Sequence, residues 1–271
     1  AVKISVIKEK MRGLKKFYGK LETNFYPGMA SDNQEAEIYE NEKALVFIVP
    51  EPNRRRAFFA FAEETALKEL LLKIPEGTIT EYIHKTQKNP LEEIFTESNM
   101  EQYALYIRST LCYCANPFTI PETGRRKLLM EMYDPSCGEY AKKDDIAELD
   151  QLTRETFDIL CDDVFTIEQW EEIISRQECL CYRENGKIIT FYVFRLEGKK
   201  LYSNMSLNRG PANYLYNLER RIFEEMYNKG IRIFYAWYNS KNNKALKRGN
   251  KNANNAVKSE EIIYNQVFIK K

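Results

Sequence analysis

Residues 201–230, LYSNMSLNRGPANYLYNLERRIFEEMYNKG, constrain the fold more than any other stretch of the chain. Leu201, Ser203, Met205 and Leu207 recur with the period of two that marks a strand. Asn208-Arg209-Gly210-Pro211 then breaks any regular element. Beyond the break Leu215, Leu218, Ile222, Phe223 and Met226 return at helical spacing, and Asn228-Lys229-Gly230 supplies a helix stop. Strand, tight turn and helix N-terminus in that order form an anion cradle. Backbone N–H groups converge there, and the helix dipole adds roughly half a positive charge. Arg209 and Gly210 are the expected contacts, with the amides of Leu207, Ala212, Asn213 and Tyr214 sharing the cradle. Pro211 has no N–H and is tolerated at the first helical position.

A second strand follows at Ile231–Tyr238, IRIFYAWY, rich in β-branched and aromatic residues. Asn239-Ser240-Lys241-Asn242-Asn243-Lys244-Ala245-Leu246-Lys247 then reads as a turn into a short helix. At these two places the chain resembles the GNAT superfamily of acyl-CoA N-acyltransferases. There a strand ends in an Arg/Gln-x-x-Gly-x-Gly/Ala loop that holds the coenzyme pyrophosphate, and Asn-x-x-Ala opens a second short helix. The resemblance covers roughly the last half of the chain. Arg209 and Gly210 match the start of the loop, whereas Ala212 and Tyr214 stand where the family prefers glycine. Asn242 and Ala245 match the second motif, and Gly249 stands where the family commonly has a catalytic tyrosine. The resemblance implies acetyl-CoA or another acyl-CoA as co-substrate, an amine acceptor, direct attack without a covalent enzyme intermediate, and Asn242 as a contact to the pantetheine arm.

Composition narrows the alternatives. Lys plus Arg at 41 against Asp plus Glu at 40 leaves a formal charge of +1, so no global field points to nucleic acid or a membrane. A 44% hydrophobic share suits a soluble globular protein, and no apolar run approaches the length of a spanning helix. The expected location is cytoplasmic, since the first residues lack the apolar core of a signal peptide. Six cysteines are scattered without a CxxC, and with His84 the only histidine no metal site is expected. They read as free thiols. Cys179 and Cys181 fall in a strand, where their side chains are expected to diverge.

Along the chain, an amphipathic helical pattern over 6–22 leads to a polar loop over 24–34. Strands to Tyr39, Val49 and Phe61, a helix over 63–73 and a strand over 78–83 follow. The second half repeats that order after two helices: a hairpin through Glu184-Asn185-Gly186, a third strand, the helix after Pro211 and a fourth strand. The expected fold class is therefore α/β (α+β), with two GNAT-like mixed-sheet domains in tandem, the N-terminal one abbreviated. The expected bounds are 1–120, a linker over 121–136 where turn signals cluster, and 137–271. In the first half Glu63 and Glu64 occupy the helix N-terminus and would repel a pyrophosphate, so coenzyme is expected in the second half only.

No general base stands out. Asn204 and Ser206 lie on the key strand without a carboxylate, Glu168, Glu171 and Glu172 are nearest by topology, and Tyr182 or Tyr238 could act as acid. The Leu207 amide is the expected donor to the acyl oxygen. The Lys241–Lys258 stretch, with Lys244, Lys247, Arg248 and Lys251, reads as a solvated basic loop able to meet a 3′-phosphate. Two other readings fit the same residues: a catalytically lapsed binding protein of this fold, and a Fem-like aminoacyl transferase, which also pairs two GNAT-like halves.

Overall fold

The apolar run Ala44–Val49 is buried at every position, which requires cover on both faces of its sheet. In the computed structural model, which describes residues 1–26, 28–109, 112–113, 116, 118, 124–134, 136, 138–242, 245 and 262–271, that cover comes from two separate cores. The chain forms two compact units: Ala1–Ile107 with Asn239–Lys241 and Ile263–Lys271, and Arg108–Tyr238 with Asn242–Ile262.

In the first unit β1 (Val2–Lys3) and α1 (Ile4–Tyr18) precede the two-residue β2 (Glu22–Thr23). An antiparallel meander follows, β3 (Glu35–Glu40), β4 (Ala44–Pro50) and β5 (Arg55–Phe61). Then α2 (Glu64–Leu71) crosses over to β6 (Thr78–His84), which runs parallel to β5. Helix α3 (Glu92–Glu97) and β7 (Met100–Ser109) complete the run. Ile4 and Ile7 of α1 pack against Leu45, Phe47 and Phe58 on one face, while Leu67 and Leu70 of α2 pack against Val46, Ile48 and Phe59 on the other. The strict alternation of β4 side chains between the two cores explains its unbroken apolar sequence.

The second unit contains β8 (Cys112–Tyr113), α4 (Arg125–Glu131), β9 (Glu139–Tyr140), α5 (Ile146–Thr156) and α6 (Ile167–Ser175). The meander β10 (Cys179–Glu184), β11 (Lys187–Glu197) and β12 (Lys200–Asn208) follows, then α7 (Ala212–Asn228) and β13 (Ile233–Tyr235), parallel to β12. Trp170, fully buried, anchors α6 against Phe191 and Val193. Leu215, Leu218, Ile222 and Met226 of α7 cover the opposite face. Each unit is thus a mixed sheet, as the α/β reading expects.

The expected boundaries need correction at the C-terminus. After the short β14 (Tyr238–Asn239), the last strand β15 (Ile262–Lys270) pairs antiparallel with β6 and lies between β6 and β7, so its main part belongs to the first unit and not to a continuous domain over 137–271. Val267 and Phe268 are buried there, and the Phe268 ring stacks on Phe95 at 4.4 Å. Burying such side chains contributes about 1.5–3 kcal/mol each, which holds the strand in place. Part of the expected linker is the helix α4.

Cys179 and Cys181 do not diverge: residues two apart in a strand share a face, and their Sγ atoms lie 3.9 Å apart as free thiols. Cys161 is also free. Among the described residues no group of His, Cys, Asp and Glu has the arrangement of a metal site, and no helix is long and apolar enough to cross a membrane.

Candidate functional site

Strands β12 and β13 pair only through Lys200, Leu201 and Tyr202. Among the described residues no strand continues along that side of β12 past Tyr202, so the two parallel strands part and leave an open edge from Ser203 to Asn208. The other side of β12 stays fully paired with β11, apart from a bulge at Asn204, where the register passes from Phe194↔Ser203 to Val193↔Met205.

The parity of this pairing decides which amides face the opening. The Arg209 N–H donates to the Ile189 carbonyl at 2.8 Å, and Leu207 lies opposite Phe191. Antiparallel alternation therefore turns the Leu207 amide toward β11 as well. Its side chain is buried in the core with Trp170. The expected donor is displaced by one residue: the N–H groups of Ser206 and Asn208 point to the open edge.

Asn208, the first residue of the break, builds the turn. Its Oδ1 accepts from the Gly210 N–H at 3.0 Å and from the Thr190 hydroxyl at 2.7 Å, and its Nδ2 donates to the Pro211 carbonyl at 3.0 Å. Gly210 is required by a close approach: a Cβ there would lie 2.8 Å from Cδ2 of Tyr214. That ring cannot yield easily, because it stacks on Tyr182 at 3.9 Å and its hydroxyl donates to Glu184 at 2.7 Å. Hydrogen bonding with Tyr182 and then Glu184 raises the Tyr214 phenol above its ordinary range.

Helix α7 starts at Ala212 with no side-chain cap and no acid in its first turn. The Tyr214 amide is engaged with the Pro211 carbonyl at 3.1 Å, which leaves Ala212 and Asn213 as the first helical N–H groups directed outward. Arg209 is half exposed and donates to Glu155 at 3.1 Å and to Thr156 at 3.5 Å. Hydrogen bonds from Gln151 and then Arg209 lower the Glu155 carboxyl below its usual range. A solvent-exposed pair of this kind is weak, so Glu155 holds Arg209 only loosely. Asn242 is exposed, and its Oδ1 accepts from the Ala245 N–H at 3.1 Å, the pattern of a helix cap. Gly249 and the basic residues from Lys244 to Lys258 lie outside the described residues.

The first unit treats its own parting strands differently. There β5 and β6 pair only at Arg55, Arg56 and Ala57, and β2 fills the space beyond, with Thr23 opposite Ala60 and Glu22 opposite Phe61. Asn24 spans the fork. Its Oδ1 accepts from the Phe59 N–H at 2.7 Å, while its Nδ2 donates to the Glu81 carbonyl at 2.8 Å and to Thr80 Oγ1 at 3.1 Å. The N-terminus of α2 is neutralised by Glu63, ion-paired with Lys43, and by Glu64 in its first turn.

The chain superposes on a GCN5-related N-acetyltransferase from Sphaerobacter thermophilus with a TM-score of 0.56, covering 90% of this chain and 84% of that one at 11% identity. The fold is GNAT-like. A GNAT-family protein from Novosphingobium aromaticivorans superposes with a TM-score of 0.51 at 13% identity, covering 83% of this chain and 88% of that one. No family model matches the chain, and no curated protein matches it in sequence. In this GNAT-like fold the open fork and the uncapped α7 belong to the second unit, and the filled fork to the first.

Proposed function

We propose that the chain is an acyl-CoA-dependent N-acyltransferase made of two GNAT-like halves in tandem, the second of which binds acetyl-CoA or a related thioester and passes the acyl group to an amine. One observation carries the reading: the edge of β12 left open past Tyr202 leads directly to the uncapped N-terminus of α7. The pantetheine arm would lie along the open edge, and the pyrophosphate would meet Arg209 and the amides of Ala212 and Asn213. The filled fork and the acidic α2 N-terminus argue that the first half takes no coenzyme.

The chemistry follows from those positions. A neutral amine attacks the thioester carbonyl carbon, the C–N bond forms, and the oxygen gathers negative charge. The Ser206 and Asn208 N–H groups are the donors turned toward it, and fixed donors at such a point supply the largest share of acyl-transfer catalysis. The C–S bond then breaks, the thiolate departs and takes a proton, and the nitrogen loses one to solvent. A thiolate is a fair leaving group, so turnover does not require a tyrosine at residue 249.

The test is release of free thiol from acetyl-CoA across amines, amino acids and peptides, with desulfo-CoA titrated alongside to measure binding alone. Acceptor-dependent thiol release supports the proposal. Tight coenzyme binding without release from any acceptor favours the lapsed-enzyme reading, and turnover with aminoacyl-tRNA alone favours the Fem-like one.

A further inference from the structure

Between Lys3 and Lys20 the chain carries seven cations against one acid, Glu9, although its overall charge is only +1. Two of the seven are committed, Lys8 to Asp32 and Lys10 to Glu40. Lys3, Arg12, Lys15, Lys16 and Lys20 are exposed and have no ion pair among the described residues. The negative end of the helix dipole favours Lys15 and Lys16 in the last turn of α1, but Lys3 and Arg12 gain nothing from it.

The apolar side chains of α1 divide between two faces. Ile4 and Ile7 are buried in the core, and Met11 and Leu14 pack against it. Val6, Gly13 and Phe17, spaced i, i+7 and i+11, form a separate stripe, with Val6 and Phe17 about 16 Å apart along the axis. Val6 is 41% exposed, and Phe17, at 80%, is the most exposed large apolar side chain among the described residues. Gly13 has no left-handed φ, and a Cβ there would meet nothing within 4 Å, so neither backbone nor packing within the chain requires glycine. Glycine in mid-helix is unfavourable relative to alanine, and here it leaves the stripe flat.

We propose that this outer face of α1 docks the first unit on an anionic phospholipid surface. Phe17 and Val6 enter the boundary between headgroups and acyl chains, while Lys3, Arg12, Lys16 and Lys20 meet lipid phosphates. Charge complementarity selects this occupant. A second copy of the chain would set cations against cations. A groove that takes amphipathic helices needs the apolar face, which is already in the core. A nucleic acid would satisfy the cations but leave Val6 and Phe17 in water. A bilayer satisfies both from one side and needs no spanning helix. Glu9 is the one opposing charge on the segment. Lipid docking involves neither coenzyme nor the open fork, so it stands apart from the acyltransferase reading.

The experiment is co-sedimentation of the intact chain with vesicles of phosphatidylcholine, alone or mixed equally with phosphatidylglycerol. Binding is expected to the mixed vesicles only and to weaken in high salt, which screens exposed charges. Lys16→Glu combined with Lys20→Glu should weaken it at least about tenfold, since each basic residue near an anionic surface contributes about 1 kcal/mol. Glu9→Gln should strengthen it. Lys187→Glu combined with Lys229→Glu, the same charge change on exposed residues of the second unit, should leave it unchanged. Every altered side chain is exposed, so the variants keep the parent fold. Heparin, a polyanion without hydrocarbon, separates bilayer from charge: Phe17→Ser should weaken vesicle binding several-fold and leave heparin binding as it was. No binding to the anionic vesicles, equal binding to the neutral ones, an equal loss from the second-unit pair, or a Phe17→Ser variant that binds vesicles as the parent does would each overturn the assignment.

Discussion

Asn24 closes the fork of the first unit, and its replacement by Asp tests whether hydrogen bonding or shape holds it shut. The two side chains are nearly isosteric, so packing is conserved. The Asn24 residue is only 6% exposed, and its amide satisfies the Phe59 N–H at 2.7 Å and the Glu81 carbonyl at 2.8 Å. In Asn24→Asp the carboxylate still accepts from Phe59 but presents a second oxygen to the Glu81 carbonyl. In Asn24→Ala both backbone groups lose their partner. Each buried group left unsatisfied costs about 1–3 kcal/mol, so Ala should cost about 2–6 kcal/mol and Asp a similar amount at neutral pH. Asn24 belongs to one of two compact units, so a single unfolding curve would mix transitions. Hydrogen exchange of peptides covering β5 and β6 reads the fork directly: protection should fall by about 30-fold or more, since about 1.4 kcal/mol is a factor of ten. Protonation restores a donor facing Glu81, so the Asp variant should recover protection as pH falls toward 4. Its folded carboxyl is raised above the unfolded one, and the stability it contributes is present at low pH and lost as pH rises through the folded value. Protection within threefold of the parent in both variants would refute the account of the fork.

Gly210→Ala should destabilise the turn by about 1–3 kcal/mol, seen as a lower melting temperature, because its Cβ would lie 2.8 Å from Tyr214 Cδ2 and 3.1 Å from Ile189 Cδ1. Tyr214→Ala in the same chain should remove most of that penalty, and an undiminished loss would contradict the close-approach argument. Burial raises the Glu178 carboxyl, so its stabilising neutral form is lost as pH rises above the ordinary carboxylate range. Glu178→Gln should therefore raise the melting temperature at pH 7 and leave it unchanged near pH 3.5; a decrease at pH 7 would oppose this. Cys179, whose thiol is raised well above its usual value by its neighbour Cys181 and by burial, and Cys181, buried beside it, should resist thiol reagents in the native protein, while half-buried Cys161 reacts. The denatured, unreduced chain should titrate all six of its cysteines; two or four would mean bridges.

The sequence made the order of elements legible because each rests on a local signal. Period-two runs, the Asn185-Gly186 hairpin, the Pro211 helix start and the capping box at Thr166–Gln169 all act within a few residues. What escaped depends on which strands become neighbours. Asn24 sits in a polar loop by sequence, and nothing local shows that its amide reaches Phe59 and Glu81 across the fork. The final strand, IIYNQVFIK, is apolar on both faces, but only its partners, β6 on one edge and β7 on the other, reveal that it completes the first unit. The direction of the Leu207 amide is hidden for a related reason: whether a strand amide points left or right changes with a one-residue step in register. Asn208 was readable in principle, since Asn two residues before Gly commonly accepts from that glycine's N–H.

Titration of acetyl-CoA into the parent chain and into Arg209→Glu and Glu63→Lys, followed by calorimetry, tests the central claim most directly. The account predicts one coenzyme per chain, binding weakened at least about tenfold by Arg209→Glu, as expected for losing a charge-assisted contact of roughly 1.5 kcal/mol or more, and no change with Glu63→Lys. Undiminished binding in Arg209→Glu together with a loss in Glu63→Lys would place the coenzyme in the first unit and contradict the claim.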